Sequence, residues 1–537
     1  MARYKTVAIR TDSSNDIGSG HIMRCLTIAN ALKNRGYECV FICRSLLANQ
    51  QVLIKSLNHK LVQLSESKNP APDNDRSYQG WLGTTQDYDA KETINALTDL
   101  DKLTFNIELI IVDHYSLDKV WEDACKKALN VPIFAIDDLD REHVSDILLD
   151  TTFGKTNENY PNLVSDDCNL LIGAEYALLR PDFNEYRQKS LERLDGRFAE
   201  TYGKLRILIF MGGVDAHNAT EWVLKGINSL SSEQDIEIVV LVGGSYRHAA
   251  SLQSTISNSP IHVELIKDAS YVAKLLSSID LCIGASGSST WERCCLGVPT
   301  INLVLAENQS DIAMILKKAG ITHDAGIYSP KNDSKKWALS HVKPLLEHES
   351  ERKSMSMKAR AITDGLGVLK VLSEIFKLTV DVDSIMLRKA TEKDTKLLFD
   401  WQQHPNTRKY ARDTSHPTWE NHISWMTNRL SDNANPFYIV EADGVPAGML
   451  RLDACGTLSE LSAQFRQEND LREISILTAP EFYGRGVAKR SIQLIQKKMR
   501  CDYIVATVHE QNLASNLLFQ SANFFKIGKE RYIWPAL

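Results

Sequence analysis

The chain has 537 residues, with 62 Lys and Arg against 68 Asp and Glu, a formal net charge of -6 at pH 7 and 43% hydrophobic residues. That length exceeds one ordinary core and points to about three folding units of ~100–200 residues each. The mild acidity argues against a general nucleic-acid binder, which carries a basic excess over its binding domain, and no apolar run reaches the ~18 residues of a membrane span.

The amino terminus runs straight into a polar-flanked strand, so a soluble cytoplasmic protein without a membrane or nucleic-acid partner is expected. The ten cysteines are scattered without a Cys-x-x-Cys pair, so neither a disulfide nor a cysteine metal site is expected. In chain order, Val7-Ala8-Ile9-Arg10 reads as a short apolar strand, and Ile22, Leu26, Ala29 and Leu32 recur at helical spacing. Between them, Asp16-Ile17-Gly18-Ser19-Gly20-His21-Ile22-Met23-Arg24 is a glycine loop opening a helix at the carboxyl edge of a parallel sheet, where ligands collect. Gly18 and Gly20 let backbone approach a substrate, and the helix amino end favours negative charge. The same end disfavours a second positive charge, which should keep His21 neutral and fit to take a proton from water. A histidine that only caps its helix is the competing reading.

Apolar runs at residues 39–42, 109–112 and 133–136 alternate with helical patterns and make residues 1–180 an α/β domain. Residues 65–86, with Pro70, Pro72, Gly80 and Gly83, read as a surface loop. Asp113-His114-Tyr115 and Asp137-Asp138 end strands, and either line a cleft or cap the next helix.

A second alternating series, with strands at residues 205–210, 236–242 and 280–283, makes residues 181–380 another α/β domain, entered through a crossover at 181–203. Two doubly wound domains of this kind face each other across a cleft. Met211-Gly212-Gly213-Val214-Asp215 follows a strand and opens a helix, so its backbone N–H groups could hold a phosphate. Gly284-Ala285-Ser286-Gly287-Ser288-Ser289-Thr290-Trp291-Glu292 repeats the arrangement with room for a diphosphate. Glu292, one turn inside the helix, can accept two ribose hydroxyl hydrogens; a solvated first-turn charge is the alternative. Asn308, in Ala306-Glu307-Asn308-Gln309-Ser310 after an apolar run, either grips substrate or belongs to a surface turn. Helical character continues through residues 350–377.

These residues resemble the nucleotide-sugar hydrolase of bacterial pseudaminic acid biosynthesis, which has the two-domain GT-B architecture. The likeness spans about residues 5–375 and rests on Arg10-Thr11-Asp12-Ser13-Ser14, Gly18-Ser19-Gly20-His21, Trp81-Leu82-Gly83, Ala174-Glu175-Tyr176-Ala177-Leu178-Leu179-Arg180, Gly212-Gly213-Val214-Asp215, residues 284–292 and Asn308-Gln309. It implies that His21 activates water to attack the anomeric carbon and expel UDP with inversion, that Asn308 helps place the sugar, and that Glu292 holds the ribose. On the same likeness Asp12, Gly18, Gly20, Arg24, Asp113, Tyr115, Tyr176 and Gln309 face the substrate, and Gly212, Gly213, Ser288, Ser289 and Thr290 the nucleotide. UDP needs little protonation to leave once its charge is shared with donors, so neither a metal nor the usual pair of glycosidase carboxylates is required.

The pattern changes near residue 384. Ile385-Met386-Leu387-Arg388-Lys389-Ala390-Thr391 is a fresh strand, followed by an aromatic-rich helical region around Trp401, Trp419 and Trp425. Residues 437–441 and 448–452 flank Asp443-Gly444, a hairpin signal. The strand before Tyr483-Gly484-Arg485-Gly486-Val487-Ala488 feeds a glycine turn and a helix start suited to a pyrophosphate, and Val505-Ala506-Thr507-Val508 precedes His509-Glu510-Gln511-Asn512. Residues 385–537 resemble the acetyl-CoA-dependent Gcn5-related N-acetyltransferases (GNAT), an α+β fold. The likeness implies that Gly484, Arg485, Gly486, Val487 and Ala488 take the CoA pyrophosphate, that the strand with Ile476 and Leu477 pairs with pantetheine, and that Asn512 and Ser515 fix the cofactor. Tyr483 stands where Arg or Gln is usual, and Phe519 where many relatives carry a tyrosine acid. Asn523 replaces a glycine, and asparagine best tolerates a left-handed turn. Glu473 is the candidate for relaying a proton from the acceptor amine, against a plain strand carboxylate.

The expected whole is an α/β chain: a GT-B pair of doubly wound Rossmann-like domains followed by a GNAT domain over residues 384–537. By resemblance it is bifunctional. Acetyl-CoA would acetylate the 4-amino group of a UDP-4-amino-4,6-dideoxy-N-acetyl-altrosamine, and hydrolysis would release UDP and 2,4-diacetamido-2,4,6-trideoxy-L-altrose. Two rivals stand beside it: a GT-B glycosyltransferase that uses an acceptor instead of water, and a non-catalytic nucleotide-sugar module that presents substrate to the acetyltransferase.

Overall fold

A computed structural model describes residues 4–14, 16–65, 78–103, 105–197, 204–230, 236–244, 246–287, 289–306, 309–455, 469–499 and 501–535. Its first sheet is wholly parallel and is built from β1 (Tyr4–Thr11), β2 (Glu38–Cys43), β3 (Lys60–Gln63), β4 (Phe105–Asp113), β5 (Ile133–Ile136), β6 (Ile147–Asp150) and β7 (Asn169–Ile172). The strands lie in the order β3-β2-β1-β4-β5-β6-β7. Their inner members are continuous apolar runs, because helices cover both faces and leave no solvated side. The helix Gly20–Lys33 follows β1 and buries Ile22, Leu26, Ala29 and Leu32, the stripe expected from its spacing.

A second parallel sheet contains β8 (Leu205–Phe210), β9 (Ile236–Val242), β10 (Val263–Lys267), β11 (Leu281–Ala285), β12 (Thr300–Val304) and β13 (His323–Ile327), ordered β10-β9-β8-β11-β12-β13. Both sheets reverse their winding at one point, between β1 and β4 and between β8 and β11. The crevice at the carboxyl ends of such a pair is where doubly wound sheets bind ligands. Together they form the GT-B pair.

Under the first loop lies a buried ion network. Arg10, on β1, donates to Asp12 at 2.6 Å and to Asp89 at 2.8 Å, and Arg44, just after β2, reaches Asp89 at 2.8 Å. Residues 66–77 of the expected loop lie outside the described residues, but Tyr78–Leu82 forms a short 3-10 turn that carries Trp81.

The third sheet is mixed: β14 (Ile385–Lys389), β15 (Phe437–Ala442), β16 (Val445–Ala454), β17 (Leu471–Thr478), β18 (Tyr503–Thr507), β19 (Phe525–Lys526) and β20 (Arg531–Pro535), ordered β14-β15-β16-β17-β18-β20-β19. The β15–β16 hairpin turns at Asp443 (φ 49°) and Gly444 (φ 77°), the two positive angles a tight two-residue turn demands. All neighbours are antiparallel except β17 and β18, which pair only from Leu471 opposite Tyr503 to Glu473 opposite Val505. Beyond Glu473, β17 continues to Thr478 paired with β16 alone.

The chain divides into two compact units, residues 1–31 with 38–371, and residues 32–37 with 372–537. Inside the second unit Arg35 Nε donates to Glu481 Oε1 at 2.6 Å, both side chains being buried. The Phe376 ring stacks on Tyr37 and on Phe482. Among the described residues no helix is long and apolar enough to cross a membrane.

Candidate active sites

The switch point of the first sheet holds a histidine centre. His21 sits in the first turn of the helix Gly20–Lys33, entered through Gly18 at φ 79°, and its Nδ1 lies 2.6 Å from Asp113 Oδ1 at the end of β4. Arg24, one turn on, grips the same carboxylate with Nε and Nη2, each at 2.6 Å. Burial would raise the Asp113 carboxyl, but Arg24 and His21 outweigh it and hold the group well below the ordinary carboxylate range. An ionised Asp113 accepts the Nδ1 proton and leaves the Nε2 lone pair for chemistry.

Tyr115 meets the His21 ring edge-on at 4.6 Å and stacks with Trp81 at 5.8 Å, forming an aromatic wall beside the imidazole. Asp138, after β5, is raised by burial despite Arg24 and a hydrogen bond from Tyr115. Four sequence-selected residues, His21, Arg24, Asp113 and Tyr115, thus converge. Asp12 does not join them. It is fully buried, with Oδ1 taking the Arg44 amide at 2.7 Å and Arg10 at 2.6 Å, and Oδ2 taking Arg10 at 3.0 Å, so it shapes the loop from below. Tyr176 follows β7 at the far edge of the sheet, away from this cluster.

The glycine turn of the second sheet comes up to this loop: a Cβ on Gly213 would stand 3.5 Å from Ser19 Oγ. Gly212 has φ 92°, a conformation open to glycine, and Gly243 approaches so closely that a Cβ there would lie 2.1 Å from the Gly213 carbonyl oxygen. The next helix, Ala219–Asn228, does not offer its end to a phosphate, as the sequence suggested. Asp215 fills it, accepting from the Ala219 and Thr220 amides at 2.9 Å each, which leaves the glycine turn itself as the open donor surface.

After β11, Ser289 and Thr290 open the helix Ser289–Cys295, and both hydroxyls accept hydrogen bonds from Arg293. Glu292, on the same first turn and partly exposed, makes no hydrogen bond or ion pair with a described residue. Burial pushes its carboxyl up to about 7, against the lowering effect of Arg180 and Arg293. Ser288 and Asn308 lie outside the described residues. Gln309 spends its Oε1 on the Leu305 amide at 3.0 Å, so it braces its loop and has only its amide nitrogen left for a ligand.

In the second unit Gly484 (φ 74°) and Gly486 (φ 81°) form the expected turn, and Val487 and Ala488 open the helix Val487–Lys498. The Arg485 side chain departs from expectation. It donates to the Phe376 and Val380 carbonyls at 3.0 and 3.1 Å and lies over the Phe482 ring, so only its backbone remains for a pyrophosphate. Ile476 and Leu477 lie on the part of β17 that β18 leaves unpaired. Asn512 caps the helix Leu513–Ser521 by accepting the Ser515 amide at 3.1 Å.

Glu473 is not a lone base: Oε1 accepts from Thr507 Oγ1 at 2.5 Å and pairs with Arg412 and, at 3.5 Å, Arg531. Phe519 is buried against Phe524 and Tyr532, a core residue where a tyrosine acid was sought. Asn523 takes the left-handed turn at φ 63°.

Sequence reading passed over Arg293. Its only local signal was an arginine one place after Glu292 in the short helix Ser289–Cys295, a position that reads as surface until burial is known.

Comparison with known proteins places residues 384–524 in the acetyltransferase (GNAT) domain family. An uncharacterized protein of Methanocaldococcus jannaschii is similar over nearly the whole length, 23% identical across 98% of both chains. The UDP-2,4-diacetamido-2,4,6-trideoxy-beta-L-altropyranose hydrolase of Campylobacter jejuni is 26% identical over 58% of this chain and 97% of its own. The spore coat polysaccharide biosynthesis protein SpsG of Bacillus subtilis is 24% identical over 39% of this chain and 58% of its own.

Proposed function

We propose that this fusion of a GT-B pair, homologous to a nucleotide-sugar hydrolase, with a GNAT domain carries out two successive steps on one UDP-linked amino sugar. The carboxyl-terminal domain transfers an acetyl group from acetyl-CoA to the 4-amino group of a UDP-4-amino-4,6-dideoxy-N-acetyl-altrosamine. The GT-B pair then hydrolyses the resulting UDP-2,4-diacetamido-2,4,6-trideoxy-L-altrose. The Campylobacter relative supports this substrate class.

The observation that carries the hydrolase half is the His21–Asp113 pair at the switch point. In this reading Nε2 takes a proton from water while the water oxygen bonds to the anomeric carbon. The bond from that carbon to the β-phosphate oxygen breaks with inversion, and UDP leaves with the electron pair. Asp113 steadies the imidazolium that forms. Gly212, Gly213 and residues 286–290 receive the diphosphate, Glu292 the ribose, and Tyr115, Asn308 and Gln309 the sugar. No metal is assigned a role, because UDP is a weak base once backbone and hydroxyl donors share its charge.

Acetyl-CoA supplies the thioester of the other step. The turn at residues 484–488 takes its pyrophosphate, the unpaired length of β17 takes pantetheine amides, and Asn512 and Ser515 hold the chain nearby. Glu473, fixed by its guanidinium partners, orients the acceptor amine.

His21→Ala in the full chain is expected to lower UDP release by roughly 100- to 10,000-fold, the share of a positioned general base, without changing acetyl transfer. UDP should be released by the unsubstituted protein with water as the only acceptor. Equal release from both proteins would remove the hydrolase assignment, and release only on adding a sugar acceptor would favour a glycosyltransferase.

A further inference from the structure

The buried arginines are Arg10, Arg35, Arg44, Arg293 and Arg352. Arg10, Arg35 and Arg44 each pair with a carboxylate. Arg352 donates to the Leu345 and Leu346 carbonyls at the end of the helix Lys343–Glu347, where a cation complements the helix dipole.

Arg293 has neither arrangement. It is 1% exposed and donates to the Ala285 carbonyl at 2.9 Å, Ser289 Oγ at 3.0 Å, Thr290 Oγ1 at 3.1 Å and Asn302 Oδ1 at 3.4 Å, all neutral acceptors. Its Nε is buried with no hydrogen-bond partner among the described residues. No described carboxylate forms an ion pair with it, and the neighbouring Glu292, titrating at about 7, is only partly ionised at neutral pH. A guanidinium buried among neutral groups is strongly unfavourable unless an anion completes it.

Its place is informative. The four acceptors belong to the end of β11, the start of the helix Ser289–Cys295, and β12, so the charge lies by the carboxyl end of β11, one of the two strands at the switch point of the second sheet. A hydroxyl oxygen that accepts from a guanidinium has its own hydrogen free to donate elsewhere, and the partly exposed Ser289 can turn that hydrogen outward.

We infer that Arg293 is a positioning residue and built-in counter-charge for the nucleotide diphosphate, acting through the Ser289 and Thr290 hydroxyls rather than by direct contact. The inference rests on the nucleotide-sugar reading of this cleft and adds a residue to it. It also explains why the fold tolerates an unpaired buried charge: the ligand completes it, so the free protein is strained here and the complex is not.

Calorimetric titration of the full chain with UDP and with uridine, alongside melting with and without UDP, tests this. Arg293→Met is expected to weaken UDP about 10- to 100-fold, as for a lost charge-assisted contact, and uridine less than about threefold. Its ligand-free melting temperature should be no lower than that of the unsubstituted protein, while the upward shift produced by UDP shrinks. Arg293→Lys, which keeps the charge but not the fork, should retain most of the UDP preference. An unchanged ratio of UDP to uridine affinity in Arg293→Met, or in Arg293→Gln where the methionine variant does not fold, or equal losses for both ligands, would overturn the inference and leave Arg293 a packing residue. Unsubstituted protein that bound uridine and UDP alike would overturn both this inference and the nucleotide-sugar reading beneath it.

Discussion

Burial alone does not set a carboxyl's charge; its neighbours decide. Asp113 is buried against Arg24 and stays ionised, whereas the partly exposed Glu292 has no bonded cation and desolvation by the surrounding protein raises it to about 7. Ribose hydroxyls donate best to the ionised form, so uridine, which has no group titrating there, should bind more tightly as pH rises through 7. Calorimetric titration from pH 6 to 8 measures this, and Glu292→Gln should flatten the profile. The sign for stability is opposite. Between its ordinary value of 4.5 and about 7 the folded protein holds this proton more firmly than the unfolded chain, so the group's contribution falls as pH rises across that window. Glu292 and His21 were legible in the sequence because each follows a glycine turn after an apolar strand. The His21–Asp113 pairing was not, since 92 positions separate the partners and only the adjacency of β1 and β4 joins them.

At the scale of elements, strands with long apolar runs were readable and short or marginal ones were not. β6 is buried at all four positions, but its three apolar residues, Ile147, Leu148 and Leu149, do not distinguish strand from helix. β3 and β13 lie at sheet edges, where one side of the strand is open and the sequence Lys60–Gln63 or His323–Ile327 carries little apolar signal. The glycine turns lie after the strands where the sequence put them, yet the Asp215 cap on the helix Ala219–Asn228 could not be foreseen from the glycines alone. What the glycines do demand is room. Gly243→Ala would drive a Cβ into the Gly213 carbonyl, and the backbone shift should lower stability by about 1–3 kcal/mol, the usual range for overpacking. Chemical denaturation measures that loss. Because the strained partner is the turn proposed to take the nucleotide, UDP affinity should fall in the same variant while acetyl-CoA affinity does not.

Across the whole molecule, the first unit stores stability in ionised carboxylates. Asp12, Asp89, Asp113 and Asp137 are each raised by burial and lowered further by arginine or histidine partners, ending below their ordinary 3.8. On acidification the unfolded chain takes up these protons first. The stabilisation is therefore complete above about pH 4 and drains away below it. Urea midpoints measured from pH 7 down to pH 3 should be level at first and then fall steeply, and Asp89→Asn should blunt the fall. The second unit recruits residues 32–37 from near the amino terminus, and Arg35 finds Glu481 across 446 positions of chain. On the ribosome, at ~5–20 residues per second, that guanidinium waits roughly 20–90 s for its counter-ion to be synthesised. The second unit can close only after the segment carrying Glu481 has been synthesised, so it matures later than the part of the chain that the ribosome finishes before it.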